Sequence, residues 1–192
     1  MYKRQDYEIL ITACLLHDIG RKEQFENPAL CHAAVGGDKA FGFLLENGWT
    51  KERAGRVKEA IAAHRFRSDK PPVSAEARIV FDADKLDVTG AIGIARTLLY
   101  AGETGCPLYT KNSDGTVDDG SGDGEDCFFR EYKRKLETLY DRFFTRRGAE
   151  LAAGRKAAAE AFYTSMRKET EETYRLGKEW ICLLYTSPSP RD

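Results

Sequence analysis

The chain holds three histidines, and each stands where chemistry is possible. His17 and Asp18 lie side by side in Leu15-Leu16-His17-Asp18-Ile19-Gly20, at the end of an apolar helical segment. From a helix end both side chains can turn toward one point. A His nitrogen with a carboxylate oxygen suits a divalent transition ion or Mg²⁺. A capping aspartate beside a packed histidine also satisfies the dipeptide. A second group of carboxylates lies in the stripe Val80, Asp84, Asp87, Ala91, Ile94 and Leu98, at steps of four and three residues. A carboxylate inside an apolar stripe requires a cation, a metal or hydrogen-bond donors. A metal shared with His17 and Asp18 meets that requirement, and so does an ion pair to Lys or Arg. His64 shares a face with Val57 and Ile61, and Arg65 and Arg67 follow it. His32 lies in a segment of small residues, Ala33, Ala34, Gly36, Gly37 and Ala40. An inward histidine flanked by arginines suits a phosphate oxygen or a leaving group, as well as a satisfied core position.

The elements that must position these residues read as helices almost throughout. Residues 6–17 place Ile9, Ala13 and Leu16 on one face, with Leu10, Cys14 and His17 beside it. Gly20 stops that helix. Asn27-Pro28 reads as a cap before a second helix reaching about Asn47. Thr50 caps a third helix carrying His64, and Ser74 caps a long one to about Tyr100. Residues 101–127 form a glycine-rich, acidic, flexible loop; from Asp114 to Asp126 it holds Asp114, Asp118, Asp119, Asp123, Glu125 and Asp126 and no base. An EF-hand template fails there: with Gly120 in its sixth position, the first and third ligand positions fall on Gly115 and Val117. Two further helical stretches occupy residues 128–181. The expected class is all-α, a compact irregular helical bundle.

Composition bounds the function. The 192 residues carry 30 basic and 31 acidic side chains, so no global basic field recruits nucleic acid or an acidic membrane. No apolar run approaches the ~20 residues that span a bilayer. The five cysteines show no CxxC pair and read as reduced thiols in a cytoplasmic protein. Neither a Walker loop nor a GxGxxG is present, so phosphate binding would rest on metal and cationic side chains.

Leu15 to Gly20, an inward His after a helix, and Phe81-Asp82-Ala83-Asp84-Lys85-Leu86-Asp87 together resemble the HD superfamily of metal-dependent phosphohydrolases. Asp82 to Asp87 followed by Gly90 to Arg96 is similar to its bacterial YedJ/YpgQ-like subgroup, and the likeness covers roughly residues 6–181. The resemblance implies an HD domain over 1–100, with the helices of 128–181 packing on it. It implies a divalent ion (Mn, Co, Ni, Mg or Fe) held by His17, Asp18 and Asp84. The family's first ligand histidine comes from a preceding helix, and no histidine precedes His17 here. That departure implies an N-terminally truncated fragment that binds metal weakly. His32 and His64 match positions used for a second metal or for substrate phosphate.

The expected reaction is metal-assisted hydrolysis of a phosphate ester or anhydride, with a nucleotide as the small-molecule substrate, as in a nucleoside triphosphate diphosphohydrolase. Asp87 would orient water or act as base. His64, Arg65, Lys85 and Arg96, with His32, would hold phosphate, and His64 would also protonate the leaving group. The alternatives are a hydrolase of a ppGpp-type signalling nucleotide and a non-catalytic helical ligand-binding module. No nucleic-acid or membrane partner is expected. Residues 182–192 match, residue for residue, an in-frame translation of a transposon-type sequencing adapter, so the natural chain is expected to stop near Ile181.

Overall fold

The computed structural model describes residues 5–65 and 71–186. Among these residues the structure is all-α, with one isolated bridge between Lys111 and Val117. The chain divides into two units. The first runs to Asp87 and adds Phe143–Leu151; the second holds Val88–Arg142 and the chain from Ala152. This division differs from the expected boundary at residue 100.

In the first unit, α1 (Tyr7–Leu16) starts at Asp6, whose carboxylate accepts the Glu8 and Ile9 N–H groups. Helix α2 (Arg21–Glu26) is short. Helix α3 (His32–Glu46) follows, then α4 (Lys51–Ala62) capped by Thr50, and α5 (Ala75–Leu86) capped by Ser74. α3 packs on α4, and α1 packs on α4 and α5. Their apolar faces share a core of Ile9, Ala13, Leu44, Val57, Ile61 and Val80. The small residues of α3 act as expected. A Cβ on Gly37 would stand 3.0 Å from the Lys58 carbonyl oxygen, a tight contact, so glycine there eases the close approach of α3 and α4.

The start of α3 differs from the sequence expectation. Asn27 does not cap it; its N–H bonds the Glu23 carbonyl and closes α2. A turn bonding Leu30 to Asn27 then delivers the chain to Cys31, and His32 becomes the first residue of α3. Proline 28 has no N–H to give a helix, so it fits that turn.

The expected long helix from Ser74 to Tyr100 is two helices. α5 ends at Leu86 with Asp87 as its C-cap, and α6 (Gly90–Thr104) begins the second unit. Gly90 has φ of +62°, a conformation side chains resist, and the chain turns there. The predicted stripe therefore breaks after Asp87, which is exposed.

The second unit continues through residues 105–127. Backbone bonds join Asp118 to Thr110, Phe128 to Pro107 and Phe129 to Leu108. Helix α7 (Phe128–Glu131) leads into a π-helical turn over Tyr132–Leu136 and a 3₁₀ turn over Leu139–Asp141. Phe128, Phe129, Tyr132, Leu136 and Leu139 are buried, and the Tyr132 and Tyr163 rings stack at 4.1 Å. Helix α8 (Arg146–Thr186) is one long helix; it continues through the first five residues of the expected adapter tail, which contain no helix breaker. Residues 187–192 lie outside the described residues.

Candidate metal centre

Three histidines and two carboxylates converge in the first unit. His17 is the C-cap of α1, and Asp18 follows it in the turn that leads to α2. His32 opens α3, His64 follows the end of α4, and Asp84 sits in the last turn of α5. The His17 and His64 rings meet edge-on with centroids 5.2 Å apart, and those of His32 and His64 lie 5.1 Å apart.

The two oxygens of Asp18 face different histidines. Oδ2 lies 3.6 Å from His17 Nε2, which is 3.9 Å from Asp84 Oδ1. Oδ1 lies 3.8 Å from His32 Nε2 and 3.7 Å from His64 Nε2. The His32 and His64 Nε2 atoms are 3.2 Å apart. Donors bound to one ion at ~2.1 Å stand roughly 3.0–3.5 Å from each other, so these gaps are close to those of ligands to a common cation.

Each histidine turns its Nδ1 away from this point. The Nδ1 of His17 meets the Cys14 carbonyl at 2.7 Å, and that of His64 meets the Ile61 carbonyl at 2.5 Å. A carbonyl only accepts, so both Nδ1 atoms carry a proton, and in the neutral ring each Nε2 presents a lone pair. His32 Nδ1 meets Gln24 Oε1 at 2.7 Å. Burial, with the Arg21 guanidinium and His64, lowers the His32 pKa to about 4. Burial also lowers that of His64, against the Ile61 hydrogen bond. Imidazoles that turn Nε2 inward beside carboxylate oxygens form a donor set that fits a divalent transition ion.

His64 is 1% exposed, with its proton on Nδ1 and its pKa lowered, so it is poorly suited to protonate a leaving group. Lys85 is 6% exposed and pairs with Asp84, while its ammonium lies 5.1 Å from the Phe81 ring centre. Burial raises the Asp84 pKa, but Lys85 outweighs it and the net shift is downward. A buried ammonium needs such a partner. The most deeply buried carboxylate of α5 is Asp82, not Asp84. Asp82 accepts from Phe144 N at 2.9 Å, Thr145 N at 2.7 Å and Thr145 Oγ1 at 2.6 Å, and so anchors the start of α8. Arg65 stands beside the Cys31 thiol. Burial raises that thiol's pKa, but the Ala34 N–H, Arg65 and the Ala33 N–H together lower it. Arg67 lies outside the described residues, and Arg96 belongs to the second unit, exposed on α6.

Two residues at the site escaped the sequence reading. Arg21 Nε bonds Asp18 Oδ1 at 2.8 Å, and Gln24 bonds His32. The i, i+3 spacing of Asp18 and Arg21 was a usable signal. The spacing of eight from Gln24 to His32 carries none.

The chain is 32% identical over 171 residues to YpgQ of Bacillus subtilis, a match spanning 87% of this chain and 75% of that protein. The HD domain model matches residues 2–89. The chain belongs to the HD-domain family. Solved HD structures share the fold. An HD-superfamily hydrolase from Bacillus thuringiensis superposes with a TM-score of 0.58 at 29% identity, covering 84% of this chain and 72% of that one. The structure of Bacillus subtilis YpgQ in complex with ADP superposes with a TM-score of 0.54 at 25% identity, covering 86% and 89%. The HD match contains His17, Asp18, His32, His64, Asp84, Lys85 and Asp87. HD domains bind divalent metals, and here Asp18, His32 and His64 offer ligand atoms within 4.8 Å of one another. As an HD-superfamily member the chain is a hydrolase. No described helix is long and apolar enough to cross a membrane.

Proposed function

We propose that this HD protein is a metal-dependent phosphohydrolase acting on a nucleotide. The convergence of three imidazole Nε2 atoms on the two oxygens of Asp18 carries the reading. His17, Asp18 and Asp84 would hold a divalent ion on one side of Asp18, and His32 and His64 a second ion or a phosphate oxygen on the other. Bound there, the ion supplies Lewis acidity, which activates water at neutral pH and polarises a phosphoryl oxygen.

The chain's own residues do the rest. Lys85 keeps Asp84 ionised. Asp87 follows Asp84 by three residues, on the same side of the end of α5, and is the candidate to orient water. Arg65 and Arg21 are cations near the cluster suited to phosphate oxygens, since a guanidinium presents a fork of donors. The ADP complex of YpgQ supports a nucleotide as the class of substrate. The test is release of phosphate or pyrophosphate from a panel of nucleoside mono-, di- and triphosphates, with Mn²⁺, Co²⁺, Ni²⁺, Mg²⁺ or Fe²⁺ added in turn. Metal-dependent release from at least one nucleotide is expected. Silence across the panel from folded, metal-loaded protein would refute the reading.

A further inference from the structure

The histidines of the cluster are not held alike. His17 and His64 give their Nδ1–H to main-chain carbonyls, which offer no alternative. His32 has no such anchor; its Nδ1 meets the side chain of Gln24, on α2. The other nitrogen of His32 lies 3.2 Å from His64 Nε2, which carries a lone pair because the His64 proton is committed to Ile61. His32 therefore has two competing arrangements. With the proton on Nδ1, it donates to Gln24 and its Nε2 is open toward Asp18. With the proton on Nε2, it donates to His64, and both nitrogens are withdrawn from a cation.

We propose that Gln24 is a positioning residue that keeps the proton of His32 on Nδ1, so that its Nε2 remains a metal donor. Gln24 Oε1 does this by accepting the Nδ1–H at 2.7 Å. It is a single side chain on a six-residue helix, whose approach is set by the turn at Gly20. The bond couples the conformation of α2 to the competence of a histidine at the start of α3. The metal-affinity part of the proposal rests on the metal-binding reading above; the proton assignment stands apart from it.

The experiment uses the full chain, metal-free and at pH 8, with ¹⁵N-labelled histidine. Long-range ¹H–¹⁵N correlation spectra report which ring nitrogen of His32 carries the proton, and calorimetric titration with Mn²⁺ or Co²⁺ reports affinity. The wild type should show the proton on Nδ1. Gln24→Leu removes the acceptor, so the proton should move to Nε2 and affinity should fall ~10–100-fold, the usual effect of losing a partner that orients a ligand histidine. Gln24→Glu keeps an acceptor, so the proton should stay on Nδ1 and affinity should be at least that of wild type. A wild-type proton on Nε2, or an unmoved Nδ1 proton in Gln24→Leu, overturns the proposal. So does a moved proton with unchanged affinity. Should Gln24→Leu not fold, the wild-type and Gln24→Glu spectra still decide the assignment. A wild type that takes up neither metal sinks the metal reading while leaving the spectra to judge Gln24 alone.

Discussion

Gly20 crosses α3 so closely that a Cβ placed on it would stand 2.6 Å from the Gly36 backbone nitrogen. From the other side, a Cβ on Gly36 would stand 3.4 Å from the His17 carbonyl. The two glycines thus set the distance between the His17-Asp18 turn and the helix that begins with His32. Gly20→Ala should cost ~1–3 kcal/mol by overpacking against backbone that cannot yield. It should also weaken metal binding, because Asp18 and His32 would be pushed apart. Urea unfolding and calorimetric titration measure the two effects; wild-type values in both would contradict this account.

Asp18 is the residue both halves of the cluster share. Asp18→Asn should lower metal affinity and metal-dependent hydrolysis by ~100-fold or more, whereas Asp84→Asn should affect only the His17 side. The same logic applies to thermal stability. Metal at a hundred times its dissociation constant should stabilise the wild type by ~2.7 kcal/mol, and a chelator should reverse the gain. In Asp18→Asn the melting temperature should respond to neither.

Asp82 and Asp84 are two residues apart and should separate cleanly by experiment. Asp82→Ala leaves the Phe144 and Thr145 donors without their acceptor, at a cost of ~1–3 kcal/mol. It should leave metal affinity unchanged. Asp84→Asn should do the reverse. Paired denaturation and titration of the two variants make the comparison.

Glu76 supplies a pH test outside the metal cluster. Its Oε1 accepts from Asp6 N at 2.9 Å and from Arg56 Nη2 at 3.1 Å. Burial raises its pKa, but the Asp6 hydrogen bond and Arg56 outweigh it, so the folded pKa lies below the usual value of 4.5. A carboxyl lowered on folding contributes stability above its unfolded pKa and loses it as pH falls through the folded one. Glu76→Gln should therefore be less stable than wild type at pH 7, by ~1–3 kcal/mol, with the gap closing below about pH 4. A gap that does not narrow as the pH is lowered into acid would exclude a charge origin.

The caps and the cores of single helices were legible in the sequence. Thr50 and Ser74 accept the N–H groups of Arg53 and Ala77 as their types predict, and Ile9, Ala13, Val57 and Ile61 are buried as their spacing requires. The break at Asp87 was not legible, because the apolar steps from Val80 to Leu98 pass through it unchanged. Only the positive φ of Gly90 interrupts them, and a glycine in a helical pattern does not announce its φ. The partners of Asp18 were hidden for another reason. His32 and His64 reach it through the packing of α3 and α1 on α4, and contacts across helices leave no trace in local spacing.

The donors of Asp82 lie 62 and 63 residues further along the chain. The segment that carries them, Phe143–Leu151, completes the first unit only after all of Val88–Arg142 has been made. During synthesis, then, the donors of Asp82 appear only after the whole intervening stretch has been made. Until residue 145 is made, that carboxylate lacks those partners and water must serve it. The gene segment that encodes the HD match is accordingly shorter than the piece of chain that must be translated before the Asp82 carboxylate meets its donors.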